Sequence, residues 1–160
     1  MKNLNRKGFT LIEVVATVAI ASLVMVALVS FFSVVSKVFV TSAVESELRQ
    51  ISSVTKAYLK NELTYATEIG VSDDGTYNKI EFTGGLIFKK DIHGDDLQVF
   101  DNEFYGNTSI DGEITGQGSV LTLTLTIEKG ETERKEVYVI KTLNKVDTAI
   151  STPVKVIYYK

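Results

Sequence analysis

The sequence predicts an α+β fold: one long N-terminal helix, membrane-spanning in its first half and amphipathic in its second, packed on a small antiparallel β-sheet. Three observations carry that prediction. No glycine or proline interrupts Phe9 to Ile69, so nothing in that stretch breaks a helix. Within it, the 23 residues from Val14 to Ser36 carry no charge. Beyond Gly75 the hydrophobic period drops towards two, most clearly where Leu121, Leu123, Leu125 and Ile127 alternate with Thr122, Thr124 and Thr126. A helix followed by hairpins is the element order of an α+β domain.

A chain of 160 residues has room for one domain and an appendage. Hydrophobic residues make up 44% but crowd into the first forty positions, which leaves the remainder few residues from which to build a core. The division that follows is a basic leader at 1–8, an apolar helix at 9–36, an amphipathic helix at 37–70 and a β head at 71–160. Formal charge is -3, and without Lys2, Arg6 and Lys7 of the leader it becomes -6. An acidic head argues against nucleic-acid backbone binding, which needs clustered Lys and Arg. Cysteine is absent, which removes disulfide staples, thiol chemistry and thiolate metal sites.

Met1 to Gly8 holds three basic residues and no acid, so the leader is expected on the cytoplasmic side. As a helix the uncharged run reaches about 35 Å, enough for a hydrocarbon core of about 30 Å. Lys37 marks its outer end, and a single span with the rest of the chain outside follows. A secretory signal cut after Ser36 meets the small-residue rule at Val34 and Ser36, but the run exceeds the roughly 7–15 residues usual for such signals. A plain signal anchor explains length and basic flank and leaves Glu13 without a purpose, although an acidic residue there costs on the order of 3 kcal/mol. A cut between Gly8 and Phe9 supplies one. It would create a positive α-amine at i of a pair whose i+4 member is Glu13, on one helix face, and Glu13 also lies in the first turn, where negative charge complements the helix dipole.

Lys7-Gly8-Phe9-Thr10-Leu11-Ile12-Glu13 resembles the leader-peptidase site of prepilins, the precursors of type IV pilins and of the pseudopilins of secretion and DNA-uptake systems. The resemblance is strong over the first forty residues and architectural beyond them. It implies that a membrane-embedded aspartic peptidase cuts after Gly8 and methylates the new N-terminus at Phe9, and that Glu13 is the assembly glutamate that sets subunit register. It further implies as partners that peptidase and methyltransferase, other pilin or pseudopilin subunits and an assembly-platform membrane protein, with no cofactor. The expected location is the cell membrane and then the cell surface or a filament. Many members have a proline within the apolar helix. Here the only proline is Pro153, so no kink is expected.

Within the span, Ala19, Ser22, Ser30, Ser33 and Lys37 share one face with Val26, and small residues let helices approach closely. Beyond Lys37, Val44, Leu48, Ile51, Val54, Tyr58, Leu59, Ala66 and Ile69 share a broad face. Arg49, Gln50, Ser53, Lys56, Lys60 and Thr64 lie opposite, and Glu45 and Arg49 are spaced i, i+4. Gly70 is the expected helix stop, with Asp73-Asp74-Gly75 as a turn. Strands are expected at Tyr77–Phe82 and Leu86–Lys90 around Thr83-Gly84-Gly85, more weakly at Leu97–Phe100, then at Val120–Glu128 and Glu136–Lys141 around Lys129-Gly130-Glu131. Gly106 to Gly118 reads as a loop, and Val154–Tyr159 as a last strand or a frayed tail.

The head offers no catalytic constellation. His93 is the only histidine, too few for a zinc set. Asp91, His93, Asp95, Asp96, Asp101 and Glu103 form an acidic run that raises calcium but lacks EF-hand spacing. No nucleophile motif is present, and Gly116-Gln117-Gly118 lacks the third glycine and the helix of a dinucleotide site. Lys89 and Lys90 read as edge solubilisers. The function implied is a filament subunit, not an enzyme. A loop-rich head without a disulfide at its C-terminus suggests a minor pilin or pseudopilin, not a major subunit. The competing readings are a ligand- or DNA-binding adhesin-type pilin and a single-pass anchored surface protein that never polymerises.

Overall fold

The computed structural model describes residues 9–72, 75–92, 94 and 96–160, the side chains at 145–148 excepted. The chain divides into two compact units, Met1–Ala43 and Val44–Lys160. Helix α1 runs 54 residues, Leu11–Thr64.

In the first unit every described side chain is exposed except Val35, which is half-buried. This stretch is therefore helical without a tertiary core of its own. Three of its hydroxyls bond back to the helix: Thr17 Oγ1 donates to the Val14 carbonyl at 2.8 Å, Ser22 Oγ to Ala19 at 2.7 Å and Ser30 Oγ to Val26 at 3.0 Å. Such back-bonds satisfy polar groups within the helix itself, which a segment in hydrocarbon requires. Among the described residues this is the one helix long and apolar enough to cross a membrane.

In the second unit α1 buries Leu48, Ile51, Ser52, Thr55, Leu59 and Leu63, a stripe at spacings of three and four. Leu48, Leu59 and Leu63 are wholly buried, each worth about 2 kcal/mol of apolar transfer. One expected member differs. Val54 is exposed, and Ser52 and Thr55 lie inside instead, because the strand facing them offers Ser52 polar partners. The helix also stops at Thr64, short of the expected Ile69. Ala66 and Ile69 are buried as predicted, but Ile69–Gly70 is strand β1. Spacing i, i+3 fits a helix face and does not exclude a chain that turns and pairs. Asp73 and Asp74 of the expected turn lie outside the described residues.

The remaining strands are β2 (Asn78–Thr83), β3 (Leu86–Lys90), β4 (Asp96–Gln98), β5 (Thr108–Lys129), β6 (Thr132–Val154) and β7 (Val156–Tyr159), with the one-turn helix α2 at Asn102–Tyr105. They form an antiparallel five-stranded sheet ordered β1-β7-β2-β3-β4 and a separate β5-β6 hairpin. The hairpin β2-β3 turns on Gly84 and Gly85, both at positive φ, as a tight two-residue loop demands. Hairpin β5-β6 turns on Gly130, φ +60°, and Glu131.

Two expectations are corrected here. Gly106 to Gly118 is not a loop: from Thr108 it is strand, and the backbone N–H of Ile110 bonds the Gly85 carbonyl at 2.8 Å. Its glycines mark bulges, since Ile114 to Val120 on β5 opposes the longer stretch Lys141 to Val154 on β6, with register shifts at Gly116 and Gly118. Val154–Tyr159 is no frayed tail either. β7 lies between β1 and β2, pairing Tyr159 with both Ile69 and Asn78, and the Thr67 N–H reaches the Lys160 carbonyl at 2.6 Å.

The core joins the α1 stripe to Ile80, Phe82 and Ile87 of the sheet, and to Ile110, Ile114, Leu121, Leu123, Leu125 and Ile127 of β5. Polar side chains stitch the same layers. Glu62 Oε2 on α1 accepts from the Tyr159 hydroxyl at 2.7 Å and from Lys89 Nζ at 2.9 Å, so Lys89, on an interior strand, ties sheet to helix and does not solubilise an edge. Ser52 Oγ bonds Glu136 Oε2 and the Tyr138 hydroxyl, each at 2.8 Å. Glu136 in turn accepts from Arg134 Nε at 2.5 Å, and Lys56 Nζ lies 4.4 Å from the Tyr138 ring centre. Glu45 and Arg49 make the expected pair at 3.7 Å.

Two predictions follow from this packing. A Cβ at Gly112 would stand 2.5 Å from the Phe82 ring. Gly112→Ala is expected to cost about 1–3 kcal/mol by overpacking, read as a lower melting temperature of the full chain in detergent. The second concerns alkaline pH. Burial, then the charge of Glu62, pushes Tyr58 up to about 12, and burial with the Glu62 hydrogen bond raises Tyr159. Raised folded values mean that the native state holds protons the unfolded chain loses above its ordinary value of about 10. The stabilisation is complete below that pH and is lost as pH climbs through the folded values. Melting temperature is expected to fall from about pH 10 upward, less steeply in Tyr159→Phe.

Candidate functional site

The candidate site is the beginning of α1. Phe9 is exposed and precedes the helix, which starts at Leu11. Thr10 is the N-cap residue and Glu13 stands three residues on, in the first turn. Thr10 Oγ1 accepts from the Glu13 N–H at 3.4 Å, while Glu13 Oε2 accepts from the Thr10 N–H and from its hydroxyl, each at 2.8 Å. This reciprocal pattern is a capping box. It satisfies donors that would otherwise be orphaned at the helix end and sets a carboxylate against the positive end of the dipole.

The geometry changes one expectation. Phe9 lies outside the helix, so Phe9 and Glu13 are not two positions on one helical face. In the uncut chain Phe9 carries a peptide nitrogen and no ammonium, and the carboxylate of Glu13 is held by Thr10 instead. Leu11 and Ile12 are exposed, which leaves Thr10 and Glu13 as the two polar residues in an apolar stretch. Lys7 and Gly8, with the rest of the leader, lie outside the described residues. Thr10 is the participant that the expectation treated only as part of a recognition motif, although its Thr-x-x-Glu spacing is a legible capping signal.

Elsewhere the acidic run finds structural uses. Asp96 pairs with Lys79 at 3.3 Å, and Asp101 Oδ1 caps α2 by accepting from the Phe104 N–H at 2.8 Å. His93 and Asp95 lie outside the described residues. Among the described residues no group of three or more His, Cys, Asp or Glu could hold a metal ion. Gly116-Gln117-Gly118 lies in β5 at the bulged end of the hairpin.

The capping box is expected to govern order in the first turn. In Thr10→Val the hydroxyl is lost at nearly constant volume, and hydrogen exchange at the Glu13 amide of the micelle-bound chain should accelerate several-fold. Exchange in the middle of the apolar run should be unaltered.

Comparison with known proteins places this site. Residues 3–29 match the family described as Prokaryotic N-terminal methylation motif. No curated protein and no solved structure matches the chain. The matched stretch takes in Lys7 through Glu13 and enters the apolar helix, so the N-terminal segment is similar to that of type IV pilin-like prepilins.

Proposed function

We propose that the chain is a structural subunit of a type IV pilus or pseudopilus, inserted in the membrane as a precursor, cleaved between Gly8 and Phe9, N-methylated at Phe9 and polymerised through its apolar helix. The observation that carries this reading is the methylation motif at residues 3–29, continuous with a helix whose first unit exposes its apolar side chains. Hydrolysis after Gly8 frees an α-amine on Phe9, and methylation leaves that amine basic, so the new terminus is cationic. In lipid, hydrocarbon solvates the exposed Val, Leu, Ile and Phe side chains. Outside lipid only other helices of the same kind can, and head-to-tail addition of subunits is a heterologous contact of the sort that builds filaments.

Glu13 has two roles in this scheme. Before the cut it closes the capping box with Thr10. Afterwards it meets the cationic Phe9 of a neighbouring subunit, at the cost of part of that box. Register, not net stability, is the main product of such a pair, because buried ion pairs often only break even. The implied partners are the prepilin peptidase and methyltransferase, neighbouring subunits and an assembly-platform protein of the membrane. The placement as a minor subunit or pseudopilin keeps one support, a head without disulfides. The loop-rich character that also suggested it is not found, since β5 and β6 run 22 and 23 residues.

Intact mass of the membrane-extracted chain is expected to correspond to loss of Met1 to Gly8 plus one methyl when the peptidase is present, and to the full precursor when it is absent. A precursor mass in both cases would reduce the chain to an anchored surface protein. Glu13→Ala and Glu13→Val are expected to be processed and yet to give few or no surface filaments. Normal filament numbers in either would remove the register role.

A further inference from the structure

The apolar surface of α1 does not stop at Lys37. Val38, Phe39 and Val40 are exposed, and from Val14 to Val44 Lys37 is the one charged residue among 31. As a helix that stretch is about 46 Å long, against about 30 Å of hydrocarbon in a bilayer. In the membrane the Lys37 ammonium reaches the headgroup layer on its flexible stem. In a bundle of such helices outside lipid there are no headgroups to reach. There the cation has to be paired, because a charge buried without a partner is costly. Among the described residues Lys37 has no ion-pair partner. It shares a face of the helix with Ala19, Ser22, Ser30 and Ser33, where a second helix comes closest.

The acids of α1 narrow the choice of partner. They are Glu13, Glu45, Glu47 and Glu62. Glu13 is held by Thr10, Glu47 pairs with Lys129, and Glu62 accepts from Lys89 and Tyr159. Glu45 meets Arg49 at 3.7 Å, with both side chains at least half exposed. That is beyond hydrogen-bond distance, and exposed pairs of this kind contribute little. We propose that Lys37 of one subunit pairs with Glu45 of its neighbour, a contact that rests on the filament reading above. Within one chain the two stand eight residues apart, about 12 Å along the axis, too far to meet. Between parallel helices they stand level when one subunit is advanced towards the head by that amount. Bringing Phe9 level with a neighbour's Glu13 takes four residues in the same sense, about 6 Å at the helical rise. In both pairs the cation precedes the acid along the chain. One stagger of intermediate size therefore serves both, with the long Lys37 side chain taking up the difference. Pairing Lys37 with Glu13 instead needs a shift of about 36 Å in the opposite sense, which parts Phe9 from Glu13. The two helices point the same way, so the precursors share one membrane, and the contact is heterologous and does not close on itself.

The test is a charge exchange in the full chain, read as surface filaments per cell. Lys37→Glu and Glu45→Lys are each expected to lower filament number several-fold, and the double variant carrying both is expected to restore it. Lys37→Arg, which keeps the charge, should assemble as the unaltered chain does. Intact mass of the cleaved, methylated form and an unchanged melting temperature in detergent check that each variant is inserted, processed and folded. The unaltered filament gives a second reading that needs no variant. A carbodiimide joins an amine to a carboxylate in contact with it, and should yield a dimer whose digest contains Lys37 Nζ in amide linkage to Glu45. Normal filament numbers in both single variants would overturn the proposal. So would a processed double variant that assembles no better than the singles, or filaments in which Lys37 is joined to a different acid. An unaltered chain that forms no filaments at all would remove the filament reading, and this contact with it.

Discussion

A stripe of apolar side chains on α1, from Leu48 to Leu63, has to be covered, and the second unit is built as its cover. β5 supplies four alternate residues, Leu121 to Ile127, on a single face, while β2, β3 and β7 supply Ile80, Phe82, Ile87 and Ile157. Neither sheet could stand alone. A two-stranded hairpin is at best marginal in water, and three of the five other strands are four residues or shorter. Burial against the helix turns these fragments into one core, and it explains why β7 is placed between β1 and β2. There it closes the sheet at the point where the chain leaves α1.

Apolar contact is non-directional, so it does not by itself say how the cover is oriented. Two polar seams do. Ser52 meets Glu136 and Tyr138 on one flank, and Glu62 meets Tyr159 and Lys89 on the other. Each places a polar group of α1 against a polar group of a particular strand, and a slip by one residue would leave these partners unpaired, at a cost of about 1–3 kcal/mol for each group left buried. The inward-facing polar row of β6 is thus the complement of Ser52, and the exposure of Val137 and Val139 on the outward row follows from the strand's period of two.

The first unit of the helix works under the opposite constraint. Among the described residues its side chains from Val14 to Ser36 are exposed, the half-buried Val35 excepted, and the hydroxyls of Thr17, Ser22 and Ser30 are bonded to its own carbonyls. The only acid of that unit, Glu13, is satisfied locally by Thr10. A carboxylate at the edge of hydrocarbon is tolerable when its hydrogen bonds are supplied by the first turn, and the same exposure leaves it open to a stronger cationic partner.

The sequence by itself determined whatever depends on neighbours along the chain. The uninterrupted helix, the uncharged run, the alternation at Leu121 to Ile127, the glycine turns of both hairpins and the motif around Gly8, Phe9 and Glu13 all follow from local spacing. The Thr10–Glu13 box belongs to the same class, since its partners are three residues apart. What only the tertiary structure decided rests on residues distant in sequence. Ala66 and Ile69 satisfy a helical period, yet pairing with Tyr159 makes Ile69 a strand residue. The glycines from Gly106 to Gly118 look like a loop until β6 is laid beside them and they become bulges. Ser52 looks like a surface residue until Glu136, 84 positions away, reaches it. Local pattern specifies which face of a segment is apolar, but the partner of that face is chosen by packing, and no window of the sequence contains both members of such a pair.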